Sequence, residues 1–267
     1  MGQNNIRLKQ ELNILEFKEL MFLNKNVHDG KIKTKVQEKI PENLEETLKN
    51  AFIKAFELIF NNATAIIDKS IDKDKINLEY EVNKYRLDYK ENSENLKKVD
   101  KYPKKTNFVN NLFTTSVGTG MGILGLGIPD IPLFVSTILR GIYQISLSYG
   151  YDYNDELEKI YILRLIRIAL SKTSSEKRMY NDELKNKSTY NYSLDAEIKE
   201  TAKVMSNSLL FDKFIQGIPV IGAVGGIVNN SIYKKITDFC MIKYKKRYIT
   251  DKINKKNESL NLNLNKK

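Results

Sequence analysis

The sequence predicts an all-α protein, a compact multi-helix domain built around two glycine-rich apolar helices. Apolar residues recur every three to four positions from Leu44 to Ile67, which is the period of a helix face that packs against a core. No stretch of useful length alternates apolar and polar residues, as a half-buried strand would. Two uncharged segments, 106–129 and 214–233, hold nine of the thirteen glycines. Together these observations favour helices throughout.

The N-terminal hundred residues divide into two predicted helices and a polar stretch. Residues 10–23 are apolar at roughly helical spacing and predict a first helix. The Leu44–Ile67 stripe predicts a second helix, for which Pro41 followed by Glu42 suits the first turn. Residues 68–105 are strongly charged and are interpreted as a surface helix or loop.

The two glycine-rich segments are predicted to be closely packed helices. Each contains glycines four positions apart, which lie on one helix face and let a neighbouring backbone approach. These helix-packing glycines are Gly118, Gly122, Gly222 and Gly226. Each segment is also long enough to cross a bilayer. We favour buried helices in a soluble core, because Asp130 follows the first segment and a charge at bilayer depth is costly. A membrane-inserting hairpin is the alternative.

Three further helices are predicted after the first glycine-rich segment. Residues 131–149 are apolar on nearly every face, which predicts a buried helix with Gly150 as its C-cap. Its narrow polar seam consists of Thr137, Arg140, Gln144 and Ser148. A helix over 155–172 is followed by a predicted polar linker over 173–193, and the next helix begins near Ser193.

Charge and composition limit the function classes. Lys and Arg total 44 against 33 Asp and Glu, giving a formal net charge of +11, and residues 234–267 supply most of the excess. The single Cys240 excludes an internal disulfide and is interpreted as inert core. The single His28 argues against most nucleophile–His–acid arrangements. No metal and no cofactor are expected. The N-terminus has no apolar region with a cleavage site, so we expect a cytoplasmic location.

Two segments resemble the signature of the EcsC protein family. Residues 115–152 run from a glycine-rich stretch through Pro-Asp-Ile-Pro and an Arg-bearing helix to Tyr-Gly-Tyr-Asp. Residues 211–236 contain Ile-Pro-Val-Ile-Gly-Ala, a glycine pair, Asn and the start of a basic, aromatic helix. The resemblance covers residues 115–249 best. It implies a helical bacterial protein that acts near the cytoplasmic membrane, in a family named for a protein encoded beside an ABC-type exporter. It supplies no catalytic residues.

A buried polar network or ligand pocket is predicted around the 131–149 helix. Asp130 is interpreted as an N-cap of that helix or as a partner of Arg140 or Lys213. The predicted network comprises Asp130, Arg140, Gln144, Tyr149, Asp152, Lys213 and Asn229. If the protein were an enzyme, Asp130, Arg140 and Tyr149 would be the candidate catalytic residues. No phosphate-binding loop, zinc-protease motif or nucleophile elbow occurs in the sequence.

The basic C-terminal part combines cations with aromatic residues. Such a helix can lie on an anionic membrane surface, and a solvated cationic face is the alternative. The predicted membrane-surface residues are Lys234, Lys235, Lys243, Lys245, Lys246 and Arg247. Nucleic-acid binding is disfavoured, because no helix-turn-helix, RRM or KH signature accompanies the charge.

These patterns predict three regions and one function. The regions are an N-terminal helical extension over 1–40, an EcsC-like helical domain over 41–250 and a basic, disordered tail over 251–267. The predicted function is peripheral action at the cytoplasmic membrane, either assisting a membrane protein or binding a lipid-like ligand between helices. The alternative is a hydrolase or transferase that uses a buried Asp130/Arg140/Tyr149 pocket. Of the two, the sequence favours the function without enzyme activity.

Overall fold

The protein, in a computed structural model, is helical in every segment that the structure describes. Those segments are residues 5–25, 42–100, 130–185, 193–215 and 230–264, and no strand occurs in them. The all-α prediction is therefore confirmed. The helices in chain order are α1 (Ile6–Asn24), α2 (Glu42–Leu58), α3 (Thr64–Lys69), α4 (Lys73–Tyr89), α5 (Ser93–Val99), α6 (Asp130–Ser148), α7 (Glu156–Leu170), α8 (Ser174–Lys185), α9 (Leu194–Ile215) and α10 (Asn230–Leu264).

The predicted 44–67 helix is interrupted by one turn of π-helix. α2 ends at Leu58, a π-helical turn covers Ile59–Ala63, and α3 continues from Thr64. A π turn has wider spacing than an α-helix, so it rotates the apolar stripe between α2 and α3. The stripe packs against α9 and α6, and the ring of Phe52 meets the ring of Phe134 edge-on at 6.3 Å.

The buried helix predicted over 131–149 is confirmed as α6. Residues on every side of α6 are buried, against α2, α4 and α10. Two hydroxyls of its polar seam are satisfied within the helix itself. Thr137 Oγ1 donates to the Leu133 carbonyl at 2.8 Å, and Ser148 Oγ donates to the Gln144 carbonyl at 2.6 Å. Such local bonds let a hydroxyl enter a core without a distant partner.

The ring of Tyr233 on α10 packs closely against Gly141 of α6. A Cβ atom at this position would lie 2.6 Å from Tyr233 Oη, well inside van der Waals contact. A side chain at this position would therefore have to displace the ring of Tyr233. The four glycines predicted to allow close helix packing, at 118, 122, 222 and 226, lie outside the described residues.

The long helix α10 crosses much of the described structure. Its 35 residues span about 52 Å at 1.5 Å per residue, and it packs against α1, α6 and α7. α1 runs antiparallel to it. The rings of Phe22 and Phe239 stack at 4.5 Å near one end, and Asn5 Nδ2 donates to Asn257 Oδ1 at 3.4 Å near the other.

Residues 251–264 form the last part of α10, where a disordered tail was predicted. Ile253 is buried, and Lys252 makes an ion pair with Asp88 of α4. A second ion pair joins Lys256 to Glu91. The segment has little apolar periodicity, so its local sequence does not predict a helix. The contacts with the α4 region stabilise the helix instead.

The polar linker predicted over 173–193 is wrong for its first half, because α8 occupies Ser174–Lys185. A capping box starts this helix. Thr173 Oγ1 accepts from the Glu176 amide at 3.1 Å, and Glu176 Oε2 accepts from the Thr173 amide at 3.0 Å. The Thr-Ser-Ser-Glu sequence is the signature of this motif and could have predicted the helix.

Candidate functional site: the α1–α10 junction and the outer face of α1

Two of the lysines predicted to meet a membrane point instead towards α1. Lys243 Nζ donates to Glu19 Oε1 and to Asn181 Oδ1, both at 2.9 Å. Lys246 Nζ donates to the other oxygen of Glu19 at 2.7 Å. The side chains of Lys243 and Glu19 are only 8% and 5% exposed. This ion pair therefore lies inside the protein, and its charges are not available to a lipid surface.

Lys245 joins three parts of the chain through carboxylates. Its Nζ atom donates to Glu11 Oε1 of α1 at 2.5 Å and to Asp100 Oδ2 at 2.8 Å. The other oxygen of Asp100 accepts from Tyr149 Oη at 3.0 Å. Burial, reinforced by Asp100, raises the pKa of Tyr149 well above its usual value. Tyr149 therefore stays protonated and acts as a structural donor.

Arg247 belongs to a neighbouring cluster at the start of α7. Its Nη1 atom donates to Glu158 Oε2 at 2.7 Å, and its guanidinium lies 3.9 Å from the ring centroid of Tyr151. Tyr244 Oη donates to the remaining oxygen of Glu158 at 2.6 Å. This arrangement neutralises the charge of a buried carboxylate, which burial would otherwise make costly.

Four of the six predicted membrane-surface cations bind carboxylates of the protein itself: Lys243 and Lys245, which are buried and so cannot face a membrane, and Lys246 and Arg247, which are partly exposed. Lys234 is exposed and pairs with Asp238 one turn away at 2.6 Å. Lys235 is half-buried. The basic stretch of α10 therefore contributes two buried lysines to the junction with α1 and keeps its remaining cations at least partly exposed.

The proposed catalytic trio cannot assemble in one pocket. Asp130 begins α6 and Tyr149 directly follows its end, so a straight helix separates them by about 28 Å. Arg140 lies about 14 Å along the axis from Tyr149. Arg140 Nη2 donates to the Ser70 carbonyl at 2.6 Å, and Tyr149 bonds Asp100. A single helix of this length holds the three groups apart, so the prediction of a common pocket is wrong.

The remaining residues of the predicted network do not converge either. Gln144 is buried in α6, and its Oε1 atom has no hydrogen-bond partner among the described residues. Asp152 is exposed, and its carboxylate accepts from the Asn154 amide at 2.9 Å, which is a local turn. Asn229 and the side chains of Asp130 and Lys213 lie outside the described part of the structure.

A buried charge network that the sequence analysis missed lies between α7 and α9. Arg164 donates through Nε and Nη2 to Glu197 Oε1, each at 2.8 Å, and both side chains are 2% exposed. Arg167 Nη1 lies 3.4 Å from Glu197 Oε2, and its Nη2 donates to Glu183 Oε2 at 3.0 Å. Arg164 and Arg167 lie within the apolar stretch of α7. Two cations in so apolar a helix could have predicted that each has a buried acidic partner.

The side of α1 that faces away from α10 carries no charge. We define the outer face of α1 as eight exposed residues that recur every three to four positions: Ile6, Gln10, Asn13, Ile14, Phe17, Leu20, Met21 and Asn24. Five of them are large and apolar, and Phe17 at the centre is 63% exposed. Because Leu8, Leu15 and Leu23 are buried on the opposite side of α1, which packs against α10 and α8, α1 is apolar on two sides.

The charges of α1 are divided by sign. All three of its carboxylates, on Glu11, Glu16 and Glu19, lie within ion-pair distance of α10 lysines. Its cations Arg7, Lys9 and Lys18 are exposed. Within the described segments these three cations make no ion pair with a carboxylate. The outward side of α1 is therefore apolar at its centre, with Arg7 and Lys18 along one edge and with Lys9 and the exposed Glu16 along the other.

Surface grooves are less distinctive than the outer face of α1. One groove of about 600 Å³ lies between α2 and α9. Because three carboxylates and three lysines line it, the groove favours neither an anionic nor a cationic ligand. These charged residues are Glu45, Glu46, Glu200, Lys49, Lys199 and Lys203. No group of three metal-ligating side chains occurs in the described segments.

One described helix is long and apolar enough to cross a membrane by length and composition alone. It covers Ile131–Ser148 of α6, and 83% of that window is buried inside the protein. The core helix of a soluble protein passes the same test, so this helix is weak evidence for a membrane span.

Glu19 should make the stability of the protein depend on pH in acid. Burial acts to raise the pKa of Glu19, but Lys243 and Lys246 outweigh it and lower the pKa from 4.5 to about 2. A carboxyl with a depressed pKa stabilises the folded state above its unfolded pKa and loses that effect as pH falls through the folded one. We expect about 3 kcal/mol of unfolding free energy to disappear between pH 4.5 and 2 on this account.

Urea unfolding of the wild type and of Glu19→Gln, followed by circular dichroism across this pH range, measures the effect. The difference between the two proteins should be largest near neutral pH and should shrink towards pH 2. A difference that is independent of pH would contradict the assignment of the effect to this carboxylate.

These features define the class of protein: an all-helical protein with a charged internal junction and an amphipathic helix on its surface. The chain belongs to the EcsC protein family, which matches residues 9–249 and so includes all of α1 except its first three residues. It is 30% identical over 121 residues to Protein EcsC of Bacillus subtilis (strain 168), covering 45% of this chain and 50% of that protein. It is 28% identical over 151 residues to the uncharacterized protein YdbA of the same strain, covering 52% of each.

The chain spans about half the length of these curated relatives in the matched stretches. No solved structure matches it. The family resemblance inferred from the glycine-rich and Tyr-Gly-Tyr-Asp segments is thereby confirmed. In the structure the two tyrosines of that motif bond Asp100 and Asp251, so the motif anchors the α6–α7 turn to α5 and α10.

Proposed function

We propose that this EcsC-family protein acts peripherally at the cytoplasmic membrane, where it assists a membrane protein or binds a lipid-like ligand. The observation that carries the proposal is the outer face of α1. Five large apolar side chains stand exposed there on a helix whose other side is already packed. An apolar patch of this kind on a folded surface usually marks a site of interaction.

A bilayer surface suits this face better than a further protein core does. An amphipathic helix lies in the membrane interface with its apolar side in the acyl boundary and its cations at headgroup level. The outer face of α1 has this order, since Phe17 lies at its centre and Lys18 and Lys9 lie on its two sides. The same attachment would place the rest of the helical domain beside a membrane protein.

The two alternative functions find less support. The hydrolase or transferase required Asp130, Arg140 and Tyr149 in one pocket, and α6 spaces these residues along its length. The inserted hairpin required the two glycine-rich segments, and residues 106–129 and 216–229 of these segments lie outside the described residues. The hairpin predicts retention in membranes after a carbonate wash, whereas peripheral attachment predicts release.

Removing apolar surface from the outer face of α1 should weaken membrane binding. We expect Phe17→Ser with Leu20→Ser to lower the partition coefficient onto phosphatidylcholine/phosphatidylglycerol vesicles roughly tenfold or more. Each large apolar side chain is worth about 1.5–3 kcal/mol when fully transferred out of water. Co-sedimentation with vesicles, followed by a carbonate wash, measures the effect.

The matched control is Leu78→Ser with Tyr85→Ser on α4, because Leu78 is 64% exposed and lies on a helix of similar length. The control protein should bind vesicles like the wild type. Equal losses in the two double variants, or no binding by the wild type, would overturn the proposal. Retention of the wild type through carbonate would favour the inserted hairpin instead.

A further inference from the structure

At the α1–α10 junction, lysines of α10 pair with the carboxylates of α1. This pairing affects the net charge on the exposed side of α1. α1 contains three acidic residues, and each is drawn to an α10 lysine: Glu11 to Lys245, and both Glu16 and Glu19 to Lys246. Glu19 is also bound by Lys243. These lysines face inward, so they contribute little charge to the outside. They neutralise the carboxylates of Glu11 and Glu19, which are 19% and 5% exposed, and Lys246 also pairs with Glu16, which is 53% exposed.

One edge of the outer face is consequently cationic. Arg7 and Lys18 lie eleven residues apart, which is close to three full helical turns, so they occupy the same side of α1 about 16 Å apart. Both are exposed, and Arg7 Nη1 donates only to Gln10 Oε1, at 3.1 Å, among the described hydrogen bonds. Ile14 and Met21 adjoin this edge and continue into the apolar face.

We propose that Arg7 and Lys18 bind the phosphate groups of anionic phospholipids, and that the α10 lysines serve as internal counter-ions that keep this edge positive. The inference rests on the proposed membrane attachment and adds its lipid class. Lys and Arg have long apolar stems that lie along acyl chains while the charge reaches the headgroup. A neutral bilayer would use Phe17 and Leu20 alone, whereas an anionic bilayer would also use the cationic edge.

The test compares vesicles of phosphatidylcholine alone with vesicles that also contain phosphatidylglycerol. The wild type should bind the anionic vesicles more tightly, and added salt should reduce that preference. Arg7→Gln with Lys18→Gln should weaken binding to anionic vesicles by roughly fivefold per cation removed and leave binding to neutral vesicles unchanged. The matched control, Lys199→Gln with Lys203→Gln, removes the same net charge from exposed lysines of α9 and should leave both affinities as they are.

A variant on α10 tests the counter-ion role separately. Lys246 is 24% exposed, whereas its partner Glu16 is 53% exposed and lies 3.5 Å away. Lys246→Gln should free negative charge on α1 and so weaken binding to anionic vesicles more than Lys199→Gln does, with binding to neutral vesicles unchanged. An effect no larger than that of Lys199→Gln would overturn the counter-ion role.

The outcomes separate this inference from the function on which it rests. Equal wild-type binding to neutral and anionic vesicles would overturn the anionic-lipid inference and retain peripheral attachment through the apolar face. A preference for anionic vesicles that survives Arg7→Gln with Lys18→Gln would overturn the assignment of these two residues. No wild-type binding to either vesicle would overturn both proposals.

Discussion

Replacing Glu197 by alanine should lower the free energy of unfolding by about 3–5 kcal/mol, because it leaves buried arginine charge without its partner carboxylate. Arg164 donates twice to Glu197, and both side chains are 2% exposed. Arg167, itself 6% exposed, lies against the same carboxylate. Water cannot readily reach these guanidinium groups to replace the lost oxygen atoms. Urea unfolding followed by circular dichroism would measure the loss.

A double variant distinguishes the cost of an unpaired charge from the worth of the ion pair. Arg164→Met with Glu197→Met replaces two buried charges by apolar side chains, and such replacements are often close to neutral. We therefore expect the double variant to be more stable than Glu197→Ala. If the double variant were as unstable as the single one, the loss would come from packing between α7 and α9 or from Arg167, which keeps its charge beside the lost carboxylate, and not from Arg164.

Replacing Gly150 by alanine should also destabilise the protein severely. Gly150 has a φ angle of 82°, a conformation that costs other residues about 1–3 kcal/mol. A Cβ atom here would also lie 2.7 Å from Cε2 of Tyr80, and overpacking adds about 1–3 kcal/mol. The position closes α6 in a Schellman motif, in which the Gly150 amide donates to the Leu147 carbonyl at 2.9 Å and the Tyr151 amide donates to the Ser146 carbonyl at 3.0 Å.

The two causes can be separated by removing the ring. Tyr80→Ala alone and combined with Gly150→Ala gives a double-mutant cycle read out by urea unfolding. The combined variant should recover the part of the loss that comes from the clash and retain the part that comes from backbone strain. Full additivity of the two substitutions would show that Tyr80 moves aside freely and that strain alone is responsible.

The elements that could be predicted are those with strong local signals. α2 and α6 have apolar residues at helical spacing, and Gly150 follows α6 where a C-cap is required. α8 has a local signal in its Thr-Ser-Ser-Glu capping box. The helix was nevertheless not predicted, because it contains few apolar residues. The final turns of α10 have no local signal, because Ile253 is the lone apolar residue of 251–259 and ion pairs with the α4 region hold the segment.

The candidate site was the harder prediction, because it depends on which groups meet in space. The sequence shows that Lys243, Lys245 and Lys246 are cationic, and such runs on a surface usually face solvent. Their burial follows from the position of α1, whose carboxylates lie more than 200 residues away along the chain. No local pattern encodes that pairing.

The sequence by itself determined the helical class, the buried character of α6 and membership of the EcsC family, because periodicity and short motifs are properties of neighbouring residues. Only the tertiary structure decided where the charges point. α1 packs antiparallel on α10, so Glu11 and Glu19 are neutralised inside by α10 lysines while Phe17 and its apolar neighbours remain outside. The physical reason is that burying either charge alone would be prohibitive, so the two helices bury them together, and the face left exposed is the one that carries no charge.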